Sequence, residues 1–141
     1  MLKSKAHKVH VKQSALRNKF VIPALIKLEK SSNYPSIKVV KRVSEVTKVM
    51  AETFKLSQDK FVGLVKEHAL LDENGSIKEK DGQAGTFEIP DEKLPAWTTA
   101  LGGFMDSEAE IVLPSGKLSL DDLAKVGLTP EDLTALSFMV E

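Results

Sequence analysis

Apolar and polar residues first alternate at Lys8-Val9-His10-Val11-Lys12. A strand there puts His7, Val9 and Val11 on one face and Lys8, His10 and Lys12 on the other, so a short amphipathic strand is predicted. The spacing then becomes helical: Leu16, Phe20, Val21, Leu25 and Leu28 run up to Lys30, with Ser14 placed as the N-cap. Pro23 interrupts that run, because it has no backbone donor and crowds the preceding turn. Either the helix kinks there or a second helix begins there. Ser31-Ser32-Asn33-Tyr34-Pro35-Ser36 is a breaker, with Ser36 placed to cap the next helix, and a helical hairpin is the natural result.

From Ile37 to about His68 the apolar residues Val40, Val43, Met50, Phe54, Phe61 and Leu64 recur at helical intervals, with Thr47, Ser57 and His68 on the same seam. Val39, Val46 and Val62 widen it. Nearly nine turns at about 1.5 Å per residue make a helix roughly 45 to 50 Å long. Such a helix exceeds the needs of a small domain, so part of it is expected to project or to pair with another copy as a coiled coil. Ser57 marks a candidate break within Leu56-Ser57-Gln58-Asp59.

Beyond it, turns at Asp72-Glu73-Asn74-Gly75 and Asp81-Gly82 frame a predicted β hairpin of Ile77 to Lys80 and Thr86 to Ile89. Asp91 to Leu101 forms an amphipathic helix ended by Gly102-Gly103, and Glu108 to Leu113 a strand. Ser119-Leu-Asp-Asp122 opens a short helix closed by Gly127, and Thr129-Pro130-Glu131-Asp132 opens the last one with Pro130 at its first position. The expected fold class is α+β within a single domain, residues 1–141: an N-terminal helical hairpin with one long helix packed on a small antiparallel sheet, then short C-terminal helices.

Charge changes the picture more than composition does. Residues 1–70 carry fifteen Lys/Arg against five Asp/Glu, and residues 71–141 carry five against fifteen, in a chain of formal net charge zero. Either the two halves neutralise one another, within a protomer or between subunits, or the basic half faces a polyanion. The 141 residues, 42% hydrophobic, suit one domain of ordinary size. No run approaches the roughly 18 apolar residues of a membrane span, and the opening residues lack the apolar core of a secretory signal, so a soluble, unsecreted protein without membrane contact is expected. The absence of cysteine excludes disulfides, thiolate metal sites and thiol catalysis.

Candidate chemistry is thin. Asp72-Glu73-Asn74-Gly75-Ser76 has its glycine fourth, where a calcium loop needs it sixth, and reads as a turn. Ser115-Gly116-Lys117 lacks both the upstream glycine and the following hydroxyl of a phosphate loop. His7 and His10 fall on opposite strand faces, and His68 lies on the helical seam, so no metal or other cofactor is expected. The many carboxylates after residue 71 are spread over turns and helix starts, and no catalytic residue is singled out. The best functional candidate is a basic face: Lys38, Lys41, Arg42, Lys48 and Lys55 beside the long seam, preceded by Lys3, Lys5, Lys8, Lys12, Arg17 and Lys19. Nucleic acid, an acidic protein surface (including the second half of this chain) and plain solvation all fit it. The aromatic residues fall at core-type positions and offer no stacking platform among the lysines.

The stretch Phe61-Val-Gly-Leu-Val-Lys-Glu-His-Ala-Leu-Leu-Asp-Glu-Asn-Gly75, the hairpin after it, Glu108-Ala-Glu-Ile-Val-Leu113, and Leu128-Thr-Pro-Glu-Asp-Leu-Thr-Ala-Leu-Ser-Phe-Met-Val-Glu141 together resemble the small uncharacterised proteins encoded by tailed bacteriophages. The resemblance covers about half the chain and brings no site residues with it. It implies a viral protein of the virion or host cytoplasm. Joined to the long seam and the opposed charges, it leads to an expectation of a non-enzymatic assembly or protein-association component that binds a protein partner or itself as a homo-oligomer. The alternative is electrostatic binding of nucleic acid through residues 3–55.

Overall fold

Strand alternation near the start of the chain finds its partner a hundred residues later. In the computed structural model, which describes residues 6–80 and 83–141, β1 (His7–Lys12) runs antiparallel to β2 (Glu108–Leu113) in a two-stranded sheet. Val9 stands opposite Ile111 and Val11 opposite Ala109, so the apolar face of each strand meets the core while Lys8, His10, Lys12, Glu108 and Glu110 face solvent. The other elements among the described residues include five helices: α1 (Gln13–Leu16), α2 (Val21–Lys30), α3 (Ile37–His68), α4 (Leu94–Asp106) and α5 (Pro130–Ala135). The architecture is mixed helix and sheet with one long helix.

The run with Pro23 resolves into two helices. The side chain of Asn18 accepts the Phe20 N–H at 2.9 Å in the break, and α2 starts at Val21. Pro23 thus sits in the first turn of α2, where a backbone N–H has no intrahelical partner to lose. Ser14 is not a cap, since α1 begins directly after Lys12. The break also shifts the helical phase, which leaves Phe20, expected inside, 38% exposed.

α3 begins where Ser36 Oγ accepts the Val39 N–H at 3.3 Å and continues unbroken through Ser57. The predicted break is instead a change of core within a continuous helix. The chain forms two compact units, residues 1–54 with 108–141 and residues 55–107, so α3 gives its first part to one and its last part to the other. This division does not coincide with the charge divide after Leu70.

In the first unit Val11, Leu16, Leu28, Met50, Ile111, Leu113, Leu136 and Met139 form the centre of the core. The residues that α3 buries there are Val39, Val43, Val46 and Met50, at intervals of four, three and four. That stripe lies about 100° round the helix from the one that would include Val40, which is 47% exposed. Val43, Met50 and Phe54 do join this core. At the other end of the unit, Leu118 donates its N–H to Met139 C=O and accepts the N–H of Glu141, both at 2.9 Å, which docks the last residues. The segment after Ser119 forms one 3-10 turn, Asp121–Leu123, in place of an α-helix. α5 has the expected cap: Asp132 N–H donates to Thr129 Oγ1 at 3.2 Å, and Thr129 N–H donates to Asp132 Oδ2 at 2.9 Å.

The second unit is built on Val65, Ala69 and Trp97, with Phe61, Leu64, Ile77, Phe87, Ile89 and Leu101 packed against them. Phe61 lies 6.2 Å from Trp97, and Phe87 lies 5.5 Å from Trp97, both edge to face. The predicted hairpin of Ile77 to Lys80 and Thr86 to Ile89 does not form. Leu70 lies between the two segments, donating to Glu88 C=O and accepting from Lys78 N–H, both at 2.9 Å. Thr86 Oγ1 accepts the Lys80 N–H at 2.8 Å, so a side chain holds what a strand ladder would have held. The turn expected at Asp81-Gly82 lies outside the described residues. α4 passes through Gly102-Gly103 to Asp106, because Trp97, Leu101 and Phe104 anchor it on both sides of the glycines. Pro95 again falls in the first turn.

Candidate interaction surfaces

The lysines of the sequence-predicted basic face separate into different roles. Lys38, Lys41 and Lys48 are exposed on the part of α3 belonging to the first unit, and Lys55 is exposed at the start of the part belonging to the second. Arg42 is not part of an open cationic face. Its Nη2 donates to the carbonyls of Ser115 and Lys117 at 2.9 and 3.2 Å, and the guanidinium is largely covered. Ser115 Oγ in turn donates to Glu45 Oε2 at 2.9 Å. One turn of α3 therefore grips the loop after β2 by a cation and an anion, and Gly116, at φ 82°, lets that loop turn. The Ser115-Gly116-Lys117 loop presents carbonyls to a guanidinium, the reverse of a phosphate cradle. Lys3 and Lys5 lie outside the described residues.

Folding consumes much of the charge asymmetry. The first unit holds fourteen Lys/Arg and ten Asp/Glu, net +4, and the second six and ten, net −4. The +10 and −10 halves of the sequence are mixed because residues 108–141, rich in carboxylates, return to the N-terminal basic segment. Lys8 lies 3.5 Å from Glu110 across the sheet, and Lys27 Nζ donates to Asp132 Oδ2 at 2.6 Å. Burial alone would push the Asp132 carboxyl up, but the bonds from Lys27 and Thr129, and the lysine charge, hold it below the ordinary carboxylate range. Tyr34 donates to the Leu28 carbonyl, and burial pushes its phenol up.

The helical-seam residues are likewise divided. Val43, Met50 and Phe54 serve the first core, and Phe61 and Leu64 serve the second, so the seam is covered by the chain itself and offers no coiled-coil stripe. His68 stacks 5.7 Å from Trp97 and its Nδ1 meets Leu64 C=O at 2.8 Å, an ordinary half-buried placement. In the Asp72 turn, Oδ1 accepts the N–H groups of Asn74 and Ser76 at 2.9 and 3.0 Å, with Gly75 at φ 79°, so the carboxylate closes the loop on itself.

What the periodicity did not single out is the outer side of α2. Val21, Ala24, Leu25 and Leu28 face inward, and Ile22 and Ile26, four residues apart, stand 54% and 43% exposed. Their signal was in the sequence: two β-branched apolar residues outside the stripe marked by Leu25 and Leu28. Ile37, 87% exposed, and Val40 open α3 in the same unit. Beside them is a cavity of about 450 Å³, lined by residues that include Leu28, Glu29, Val40, Val43, Ser44 and Thr47. The second unit has its own groove of about 280 Å³, apolar on the sides of Phe61, Val65, Ile77 and Phe87. No helix among the described residues is long and apolar enough to cross a membrane.

Comparison of the chain with known protein families, curated proteins and solved structures gives no match.

Proposed function

We propose that this protein is a non-enzymatic association component that works by binding protein surfaces, its own or a partner's. The observation that carries the reading is the set of large aliphatic side chains held in solvent on regular helix, Ile22 and Ile26 on α2 with Ile37 and Val40 on α3. Isolated exposed apolar residues are ordinary, but two at a four-residue interval on one helix face give a second helix something to pack on. The net charges of the two units, +4 and −4, add long-range steering between copies. The resemblance of residues 61–141 to small bacteriophage proteins makes this an assembly component of phage type, acting in the virion or the host cytoplasm. A helical hairpin of α2 and α3 lying on the sheet is the scaffold that presents those side chains.

A second reading is favoured by one observation: Lys38, Lys41 and Lys48 all project from α3 into solvent. They could meet the phosphates of a nucleic acid. Glu45 and Glu52 stand at pairing distance along the helix, which weakens that field. Affinity capture with tagged protein from infected and uninfected bacterial lysate, with and without nuclease, separates the readings. Together with sedimentation of the pure protein, it gives a protein partner resistant to nuclease, or self-association, under the first. Capture lost with nuclease, joined to a steep loss of duplex-DNA affinity with salt, puts the second in its place.

A further inference from the structure

The outer face of α2 reads Lys19, Ile22, Ile26, Glu29, and that order is self-complementary. If two copies of α2 lie antiparallel about a two-fold axis level with Ala24, Ile22 of each meets Ile26 of the other, and Lys19 of each meets Glu29 of the other. Lys30 then faces Asn18, so no like charges are opposed. Each of these residues is exposed. Lys27, the remaining cation on the helix, is held by Asp132 on α5 and does not add to the field there. Glu29 also borders the cavity of about 450 Å³ beside Val40 and Ser44, which leaves room at its carboxylate for an arriving lysine.

We infer that α2 is an isologous dimer contact whose occupant is a second copy of this chain. The inference rests on the association reading above and specifies its surface and symmetry. An isologous contact is satisfied by two copies and closes, so growth stops at the dimer. One ten-residue helix per side makes a small interface, and weak, concentration-dependent pairing with a dissociation constant on the order of 10 to 1000 µM is expected. The contact differs from the coiled coil predicted along α3, whose seam is occupied.

Sedimentation equilibrium of the full chain over a range of concentrations tests it. Wild type should show monomer and dimer only, and Ile22→Ser with Ile26→Ser should weaken pairing by more than about thirtyfold. Unchanged Trp97 emission and far-UV circular dichroism would show that this variant folds. Lys19→Glu alone and Glu29→Lys alone should each weaken pairing roughly tenfold. An equimolar mixture of these two variants should restore it, because every contact across their heterodimer is then between opposite charges. Wild type monomeric to millimolar concentration, larger assemblies, or failure of the mixture to recover would each overturn the inference. Pairing that survives the double serine variant would overturn it too, while leaving the association reading intact and placing the contact elsewhere.

Discussion

At the scale of residues, the ionisable groups that matter most for the fold are those bound to backbone. Arg42 spans two carbonyls, and replacing it with alanine leaves both without their charged donor. A loss of about 1.5 to 3 kcal/mol is expected. Lysine should not restore it, since one ammonium on a flexible stem does not reproduce a guanidinium fork. Lys48→Ala, by contrast, should stay within about 0.5 kcal/mol. Urea unfolding of the three variants checks this, and equal effects would mean that Arg42 is only another surface cation. Asp132 gives a pH test. Its carboxyl titrates lower in the folded chain than in the unfolded one, so its contribution is full above the ordinary carboxylate value of about 3.9 and fades as pH falls through the folded value. Asp132→Ala should cost about 1 to 2 kcal/mol at pH 7, through the lost cap and ion pair, and the difference from wild type should shrink as the medium is acidified below about pH 4. A difference independent of pH would assign the effect to packing.

At the scale of elements, hydrophobic spacing decided where helices exist and neighbours decided where they stop. Gly102-Gly103 is a stop signal by composition, yet α4 continues because the rings of Trp97 and Phe104 hold it on either side. A Cβ at either glycine meets nothing within 4 Å, and neither has a positive φ. Gly102→Ala and Gly103→Ala should each therefore stabilise the protein by roughly 0.4 to 1 kcal/mol, by restricting the unfolded chain. Trp97 emission in urea would show it, and destabilisation would mean that the helix needs to bend there. Ser36 and the Thr129–Asp132 box were readable because a cap is local: donor, acceptor and spacing all lie within four residues. The hairpin after Ile77 misled because its apolar residues suit a strand equally well, and Leu70, outside the segment, takes the hydrogen bonds that a hairpin would have made.

At the scale of the whole molecule, two cores share one helix. The second has a small fully buried centre of Val65, Ala69 and Trp97, and the first is much larger. Residues 55–107 should accordingly open at lower free energy. The only tryptophan of the chain reports on that unit. Its emission midpoint in urea should precede the loss of amide-exchange protection at Ile111, Leu113 and Met139, whereas coincident transitions would make the two units one cooperative body.

The sequence by itself determined the extent of α3, the span of β2, the cap of α5 and the inward faces of β1 and α2. These come from periodicity and capping, which act between near neighbours. It also established the charge asymmetry, since counting needs no fold. Only tertiary structure decided that β1 pairs with β2 rather than with the segment after Ile77. The same long-range return placed Asp132 against Lys27, cancelled much of the apparent +10 field, withdrew Arg42 from the basic face and turned Val40 outward from the seam. Ile22 and Ile26 belong with these: the sequence shows that they are apolar, but solvent or core is a property of what packs over a helix, and nothing within α2 can specify that.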